Sequence, residues 1–496
     1  NCNKTAASVV FRLCCYRQQV SGNSRAFYYN HIPNLHTRHR IRSDILLTKE
    51  ENNPAFVSMS REQPKTNRWE VIASAAALNT HNPIRKIVDS LCVEPHPDKA
   101  LIALSIGDPT ILGNLKPAPE TVEAITKSLN SLKFNGYAPS TGYQEARAAV
   151  AEYSCYKDDD GNECDVKADE VIICSGCSHA LDLCIIALAN PGHNILVPRP
   201  GFSIYKTLAD GSGIQVKYYN LLEDEQWKVD VEDLENKIDN KTSAIVIINP
   251  SNPCGSVYPV KHLQDILDVA SRNHVPIIAD EIYEHLVFPG HRYVPMGSLL
   301  SDVPILSCSG ITKRFLVPGW RTGWIVIHDR NNILAASVKA GLINLSQRII
   351  GSNTLIQGAL PDILKNTPNK FFNDTINTIH THARLAYECL KRVEGLNPIM
   401  PEGAMYMMVG LNIDLFPRIK DDLQFVEQLM SEQSVFCLPG KCFNYPNFMR
   451  IVLTVPEEML REACARIAEF CDSHVLMGNK ILYKMLDCDD SVIGLQ

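Results

Sequence analysis

Short apolar stretches alternate with helical stretches through the middle of the chain. The helical stretches include Ala180–Leu188 and Lys261–Ser271. Continuous apolar runs are typical of strands that are buried on both faces of a parallel sheet. The alternation therefore predicts an α/β domain in which helices cover a mostly parallel sheet. The predicted strands are Leu101–Ile106, Val171–Cys174, Asn194–Val197, Ala244–Ile248, Pro276–Ala279 and Pro304–Ser307.

The pattern changes after about residue 332 and indicates a second, smaller α+β domain. From Ile333 to about Val393 it is mainly helical, with breaks near Gly358–Pro361 and Pro368. Strands at Ala404–Val409 and Met449–Val455 and helices at Leu423–Gln433 and Glu457–His474 follow. We expect a leader at 1–68, an N-terminal arm and part of the small domain at 69–118, a large domain at 119–332, a linking helix with the small domain at 333–475, and a tail at 476–496.

Composition narrows the functional classes. With 496 residues, 45% apolar and 21% charged, the chain resembles an ordinary globular protein of more than one domain. A net charge of −7 argues against nucleic acid as a partner, and no apolar run approaches the roughly 18 residues that cross a membrane. The 17 cysteines have no repeating spacing, which favours free thiols in a reducing compartment and a cytoplasmic location.

The beginning of the chain leaves the location open. Residues 1–43 contain seven lysines or arginines and no acidic residue, a bias that is typical of a mitochondrial presequence. A disordered leader, or sequence upstream of a start at Met59, explains the same bias. A mitochondrial location is therefore the alternative to the cytoplasm.

Polar clusters follow four predicted strands at their carboxyl ends, where open α/β sheets bind their ligands. The first, Ser175-Gly176-Cys177-Ser178, opens a helix. Small residues at a helix N-terminus favour a phosphate site, although any strand-to-helix turn needs capping residues of this kind. Cys174 and Cys177 form a CxxC without a second pair, so we predict no metal site.

The next two clusters concern an amide and a carboxylate. In Asn249-Pro250-Ser251-Asn252-Pro253, two prolines stiffen a turn that presents Asn252 to a cleft, unless it is a plain turn. Asp280, in Asp280-Glu281-Ile282-Tyr283, needs a cation or a donor if it is buried. A helix N-cap and a magnesium ligand are the alternatives, but no acidic cluster at another strand end supports magnesium.

The fourth cluster, Ser309-Gly310-Ile311-Thr312-Lys313, is followed by Arg321. A lysine after small residues at a strand end, with an arginine eight positions on, fits a nucleophile beside a phosphate clamp. A solvated surface lysine is the alternative.

Taken in their order along the chain, the four clusters resemble the motifs of the fold-type I aminotransferases, which depend on pyridoxal 5'-phosphate (PLP). The resemblance covers about residues 68–475 and is strongest to the branch that acts on tyrosine. Kynurenine, alanine and broad aromatic specificities remain alternatives. The resemblance is found in the segments Ala103–Thr110, Asn135–Tyr143, Asn194–Ala209, Asn249–Val257, Pro318–Arg330 and Glu432–Gly440.

The resemblance implies a catalytic role for three residues and makes the large domain the PLP-binding one. Lys313 would carry PLP through its amine and move the substrate proton, Asp280 would pair with the ring nitrogen, and Tyr283 would bond the phenolic oxygen together with Asn252. The remaining implied PLP contacts are Phe202 on the ring, Gly176, Cys177, Ser178, Ser309 and Arg321 at the phosphate, and Tyr137 at the phosphate of a second subunit.

The resemblance also implies the substrates and the assembly. Arg450 would grip the substrate carboxylate, with Gly107 and Asn252 beside it. The reaction would convert L-tyrosine and 2-oxoglutarate to 4-hydroxyphenylpyruvate and L-glutamate in tyrosine and phenylalanine catabolism, within a homodimer whose subunits share their sites. Two rival classes fit less well: a nicotinamide enzyme would need a GxGxxG at a strand end, and a non-catalytic module would be expected to have lost Lys313 or Asp280.

Overall fold

The computed structural model describes residues 71–91, 93–157, 163–299 and 301–475. The chain divides into two units, residues 1–72 and residues from Ala73 onward, and the second unit is compact. Of the first unit only Val71 and Ile72 are described, and both side chains are exposed. The predicted leader at 1–68, its alternatives and the predicted tail at 476–496 lie outside the described residues.

Strands and helices alternate along the described part of the chain. The strands are β1 Ile102–Ala103, β2 Tyr156–Lys157, β3 Glu163–Cys164, β4 Val171–Cys174, β5 Asn194–Arg199, β6 Gln215–Leu222, β7 Lys228–Val229, β8 Thr242–Ile248, β9 Ile277–Asp280, β10 Ile305–Gly310, β11 Gly323–His328, β12 Leu396–Pro398, β13 Tyr406–Leu411, β14 Val435–Phe436, β15 Leu438–Pro439 and β16 Phe448–Val452. The helices are α1 Ala75–Asn79, α2 Pro83–Ser90, α3 Pro119–Ser131, α4 Gln144–Ser154, α5 Cys177–Leu188, α6 Ile204–Gly211, α7 Val231–Lys237, α8 Val260–Asn273, α9 Val338–Ser346, α10 Thr354–Asn366, α11 Asn369–Leu390, α12 Asp422–Gln433 and α13 Glu457–His474.

Eight strands form a large sheet in the order β4-β11-β10-β9-β8-β5-β6-β7. Neighbours pair in parallel from β10 through β6, while β11 is antiparallel to both β4 and β10, and β7 is antiparallel to β6. The carboxyl ends of β4, β10, β9, β8 and β5 therefore lie on one edge, where β11 begins. The five strands predicted between residues 171 and 307 are confirmed, with ends that differ by a few residues.

Both faces of this sheet are covered, which explains its continuous apolar runs. Ile245 and Ile247 of β8 belong to a buried cluster with Leu263 and Ile266 of α8. A second cluster, on the same face, joins β4 and β11 to α4 and α10. On the opposite face the fully buried side chains of Val246, Ile278 and Leu306 are covered by α5, which packs against β9, β10 and β11. Burial of apolar area at about 25 cal/mol per Å² makes these two clusters the main stabilising contribution of the layer.

A smaller antiparallel sheet, in the order β12-β13-β16-β15, lies among the C-terminal elements. The fold class is thus confirmed as a large, mostly parallel sheet plus a smaller sheet. The predicted strand Leu101–Ile106 is reduced to β1, which pairs with β14, because the chain leaves this pairing after Leu104. The domain boundary near residue 332 stays a prediction.

The predicted helix break near Gly358–Pro361 is wrong, because α10 continues through both residues. A Cβ on Gly358 would lie 2.3 Å from the Phe134 ring, so this glycine permits close packing rather than ending the helix. The break at Pro368 is confirmed, since α11 begins directly after it. Asn82 caps α2 by accepting a hydrogen bond from the Arg85 N–H. Over the described ranges, no helix is long and apolar enough to cross a membrane.

Candidate active site

A cavity of about 360 Å³ opens at the carboxyl edge of the large sheet. The turns after β4, β5, β8, β9 and β10 supply its floor, and β16 supplies Arg450 from the smaller sheet. The cavity brings together most of the residues predicted from the sequence. These lining residues are Gly107, Cys177, Ser178, Phe202, Asn252, Asp280, Tyr283, Lys313, Arg321 and Arg450.

Lys313 lies in the turn that follows β10, and its side chain enters the cavity. Its Nζ donates a 2.6 Å hydrogen bond to the carbonyl oxygen of Gly107 and lies 5.9 Å from the centre of the Tyr283 ring. A Cβ on Gly310 would lie 2.6 Å from the Thr322 carbonyl, so a glycine is required where β10 meets β11. The turn therefore places a primary amine at the centre of the cavity.

Asp280 ends β9 and is only 2% exposed. Its Oδ2 accepts a 2.8 Å hydrogen bond from the Tyr205 hydroxyl, and its Oδ1 accepts from the Ile282 N–H at 3.3 Å and from the Cys177 thiol at 3.6 Å. Burial raises the pKa of Asp280, while these hydrogen bonds and the charge of Lys313 lower it. The result is an oriented, buried carboxylate that faces the cavity and suits a cationic partner.

An anion site lies where β4 meets α5. The first turn of α5 begins at Cys177 and Ser178 and directs backbone N–H groups and a partial positive charge toward the cavity. Arg321 lies beside it and donates to the carbonyls of Pro318 at 3.1 Å and Ser175 at 3.5 Å. Gly176 has φ +83°, and a Cβ there would lie 2.7 Å from Nη2 of Arg321. Gly176 therefore gives the guanidinium room beside the helix.

Two tyrosine hydroxyls form a hydrogen bond beside the cavity. Tyr283 Oη lies 2.7 Å from Oη of Tyr406, which belongs to β13. Burial and the neighbouring Tyr406 raise the pKa of Tyr283 well above its ordinary value, so the hydroxyl keeps its proton and can donate it in a hydrogen bond. Tyr406 thus links a predicted site residue to the smaller sheet.

Arg450 is a buried cation at the opposite wall, with 3% of its surface exposed. Its guanidinium donates to Asn252 Oδ1 at 2.9 Å and to the Ser105 carbonyl at 2.8 Å, and it lies 4.2 Å from the centre of the Tyr406 ring. No residue in the described ranges bonds its Nε. Burial lowers the pKa of Arg450, which reflects the cost of a charge without a counter-ion. A substrate carboxylate would supply that counter-ion.

Two predicted contacts lie away from the cavity. The Ser309 hydroxyl donates to Oε1 of Glu284 at 2.6 Å, on the side of β10 away from the cavity lining. Tyr137 is 86% exposed and contacts none of the lining residues by a hydrogen bond described for the chain. Its predicted role depends on a second subunit and stays a prediction.

Sequence reasoning missed several residues that shape the cavity. Tyr205 and Tyr406 hold Asp280 and Tyr283, and Thr312, Ile84 and Leu438 add to the lining. Phe202 lies two residues before α6 and Tyr205 in its first turn, three residues further along, and their ring centres are 6.3 Å apart. That spacing is the one signal that pointed to it. Within the described ranges, no group of three metal-ligating side chains occurs.

Known proteins are similar to this chain in sequence and in fold. The family described as "Aminotransferase class I and II" matches residues 99–467. Tyrosine aminotransferase from Mus musculus is 52% identical over 415 residues, 84% of this chain and 90% of that protein, and the Homo sapiens enzyme is 53% identical over 408 residues, 82% and 88%. The crystal structure of tyrosine aminotransferase from Leishmania infantum is 34% identical, with a TM-score of 0.78 over 82% of this chain and 100% of that one. The chain therefore belongs to the class I and II aminotransferase family.

Proposed function

We propose that this protein is a PLP-dependent aminotransferase that converts L-tyrosine and 2-oxoglutarate to 4-hydroxyphenylpyruvate and L-glutamate. One observation carries the proposal: a single cavity holds the amine of Lys313, the buried carboxylate of Asp280 and the buried, incompletely bonded guanidinium of Arg450. Relatives named tyrosine aminotransferase, at 52–53% identity, support tyrosine as the donor.

The residues present fit PLP at each of its polar groups. The start of α5 and Arg321 form an anion site for the phosphate, since Gly176 leaves room for the guanidinium. Asp280 suits the ring nitrogen, because its carboxylate is buried and faces the cavity. The phenolic oxygen would be held by Tyr283 and Asn252, and the ring would lie against Phe202, all of which line the cavity. Ser309 is the exception, because its hydroxyl is bonded to Glu284.

Bound PLP supplies an aldehyde for the substrate amine and a protonated ring that draws electrons from Cα. Asp280 is the residue that maintains this state of the ring. Its carboxylate holds the proton on the ring nitrogen, because a buried negative charge is stabilised by a positive neighbour. The three hydrogen bonds from Tyr205, Ile282 and Cys177 lower the pKa of Asp280 and so oppose the effect of burial, which raises it.

Arg450 binds the α-carboxylate of each substrate. Its planar fork matches a carboxylate, and among the described residues no acceptor bonds its buried Nε. Asn252 and the Ser105 carbonyl hold the guanidinium in place, so the carboxylate is bound in one orientation. Fixing the substrate in this way brings Cα to the amine that must remove its proton.

Lys313 moves that proton. Its Nζ would take the proton from Cα of the substrate, acting as a base, and would then give it up again, acting as an acid. In the structure Nζ points at the Gly107 carbonyl, on the side of the cavity next to Tyr406 and Arg450. The amine is therefore already on the substrate side of the cavity.

The choice of tyrosine over aspartate follows from the charges in the cavity. The second carboxylate of aspartate, on its short side chain, would need a second cation if it were buried, because an unpaired buried charge costs several kcal/mol. The longer 2-oxoglutarate would be accepted with its second carboxylate in contact with water. Arg321 is proposed to hold the phosphate, and the apolar residues Ile84 and Leu438 add to the lining. A ring suits such a lining better than a short carboxylate side chain does.

A donor panel tests the proposal. The purified protein with PLP is assayed with tyrosine, phenylalanine, kynurenine, alanine and aspartate, each with 2-oxoglutarate as acceptor. Tyrosine should give the highest kcat/KM. If alanine or aspartate leads, the proposed donor is wrong and the aminotransferase mechanism stands; if no donor reacts, the mechanism is wrong as well.

We further propose a cytoplasmic homodimer in which Tyr137 reaches the PLP phosphate of the partner subunit. The exposed Tyr137 ring is available for such a contact. Sedimentation should give twice the mass of one chain, and Tyr137→Phe should weaken PLP binding without dissociating the dimer. A monomer with full activity would contradict this assembly.

A further inference from the structure

A buried carboxylate behind the cavity has no part in the proposed mechanism. Glu284 follows Tyr283 by one position and is 8% exposed, yet it does not line the cavity. Burial raises the pKa of Glu284, and hydrogen bonds from Ser309 and Tyr153 together with the charge of Arg314 lower it. A buried carboxylate is costly unless several partners satisfy it, so these contacts define where the side chain can lie.

The partners of Glu284 flank Lys313 on both sides. Ser309, four residues before Lys313, donates its hydroxyl to Oε1 of Glu284 at 2.6 Å. Arg314, directly after Lys313, donates through Nη1 to the Tyr153 hydroxyl at 2.6 Å. The Glu284 carboxylate lies close enough to both groups to raise the pKa of Tyr153 and to have its own pKa lowered by the charge of Arg314. Glu284 therefore contacts one end of the turn 309–314 directly and the other end through Tyr153.

The neighbouring carboxylate has different partners. Glu281 is equally buried, but its Oε1 accepts from the Met296 N–H at 2.8 Å. Burial raises the pKa of Glu281 to about 7, and the hydrogen bond from the Met296 N–H lowers it. Its side chain thus contacts neither end of the turn that carries Lys313. The comparison separates the general effect of a buried carboxylate in this region from the specific contacts of Glu284.

We infer that Glu284 is a positioning residue for Lys313: it holds the turn 309–314 through Ser309 and Tyr153, so that the amine stays directed into the cavity. The inference rests on the proposed role of Lys313 in PLP binding. A lysine has a long, flexible stem, so its placement depends on the backbone that carries it. Loss of this support should slow the chemistry of the amine without removing the groups that bind phosphate or substrate.

The experiment uses the full chain, freed of PLP, and measures how fast Lys313 captures the cofactor. Saturating PLP is added, and the visible absorbance of lysine-bound PLP is followed as the Nζ lone pair bonds to the aldehyde carbon and the oxygen leaves as water. Glu284→Ala removes both contacts, whereas Glu284→Gln keeps an acceptor oxygen for them. Glu281→Ala is the matched control, and thermal unfolding of every variant measures the loss of stability.

Glu284→Ala should capture PLP about 10- to 100-fold more slowly, the range expected for a misplaced reactive group. Its kcat should fall in proportion, with KM for tyrosine and PLP affinity little changed, because Arg450 and Arg321 are intact. Glu284→Gln should stay within about threefold of the unaltered protein, since the retained acceptor oxygen keeps the hydrogen-bonded geometry. Glu281→Ala should lose stability and capture PLP at the normal rate.

A second set of variants tests whether Glu284 acts on Lys313 through Ser309 and Tyr153. The double variant Ser309→Ala with Tyr153→Phe should be as slow as Glu284→Ala, and adding Glu284→Ala to it should cause no further loss, because contacts in one network are not additive. The inference is overturned if Glu284→Ala captures PLP no more slowly than Glu281→Ala, if Glu284→Gln is as slow as Glu284→Ala, or if the triple variant shows additive losses. If the unaltered protein gains no visible absorbance with PLP, the proposed function itself fails.

Discussion

The Tyr205 hydroxyl donates a 2.8 Å hydrogen bond to Oδ2 of Asp280, and both groups are almost completely buried. This contact lowers the pKa of a carboxyl group whose pKa burial raises. A hydrogen bond to a charged acceptor contributes about 1.5–3 kcal/mol, so Tyr205 opposes a substantial part of the effect of burial on Asp280. Under the proposed function, a side chain that touches no substrate would thereby support the electron-drawing state of the cofactor.

The first prediction follows from this contact. Tyr205→Phe keeps the packing and removes the donor, so the pKa of Asp280 should rise. The ionised carboxylate is then lost at a higher pH as the solution is acidified, and the acid limb of the kcat profile should move up by about one pH unit, since 1.36 kcal/mol corresponds to one unit. A profile from pH 5 to 9 measures this shift. An unmoved acid limb would show that the hydrogen bonds from Ile282 and Cys177 are enough to hold the pKa of Asp280 without Tyr205.

The second prediction concerns Lys313. Lys313→Ala should abolish turnover and the visible absorbance of lysine-bound PLP, because both need the amine at Nζ. The phosphate contacts at α5 and Arg321 are unchanged, so PLP should still bind when measured by equilibrium dialysis. Lys370→Ala, which alters an exposed lysine paired with Asp374, is the control and should be fully active. Substantial activity of Lys313→Ala would refute the assignment.

Much of the site was predictable because buried strands leave a strong sequence signal. Asn252, Asp280 and Lys313 follow apolar runs, and parallel strands bring their carboxyl ends to one edge. Tyr205 and Tyr406 were not predictable in the same way. In the sequence, a tyrosine inside a helix or a strand cannot be distinguished from an ordinary core residue. Its hydrogen-bond partner is known only once the packing of the elements is known.

Ser309 shows a second limit of sequence reasoning. It lies inside β10, where successive side chains point to opposite faces of the sheet. Its distance from Lys313 along the chain was compatible with a phosphate contact, but its hydroxyl meets Glu284 instead. The orientation depends on where the strand ends, and boundaries of elements are the part of a sequence prediction that is least well defined.

The third prediction tests the link between the two walls of the cavity. Tyr406→Phe keeps the ring next to the Arg450 guanidinium and removes the hydroxyl that lies 2.7 Å from Tyr283 Oη. Substrate binding should therefore be preserved, while kcat falls about fivefold for the loss of roughly 1 kcal/mol of hydrogen bonding. Steady-state kinetics with tyrosine separate the two effects. A raised KM with an unchanged kcat would place the role of Tyr406 at Arg450 instead.

The last prediction concerns the room that Gly176 leaves for Arg321. Alanine at position 176 would be strained at φ +83°, and its Cβ would lie 2.7 Å from Nη2 of Arg321, so the guanidinium must move away from the start of α5. PLP affinity should fall about tenfold or more, which corresponds to one lost charge-assisted hydrogen bond. Gly319→Ala is the matched control, because it lies in the same turn as Arg321 and a Cβ there meets no atom within 4 Å. Titration of the PLP-free protein with PLP measures both variants. Equal affinities would mean that the phosphate is held without Arg321, whereas weaker binding by Gly176→Ala alone would show that the helix start and the guanidinium act on one anion.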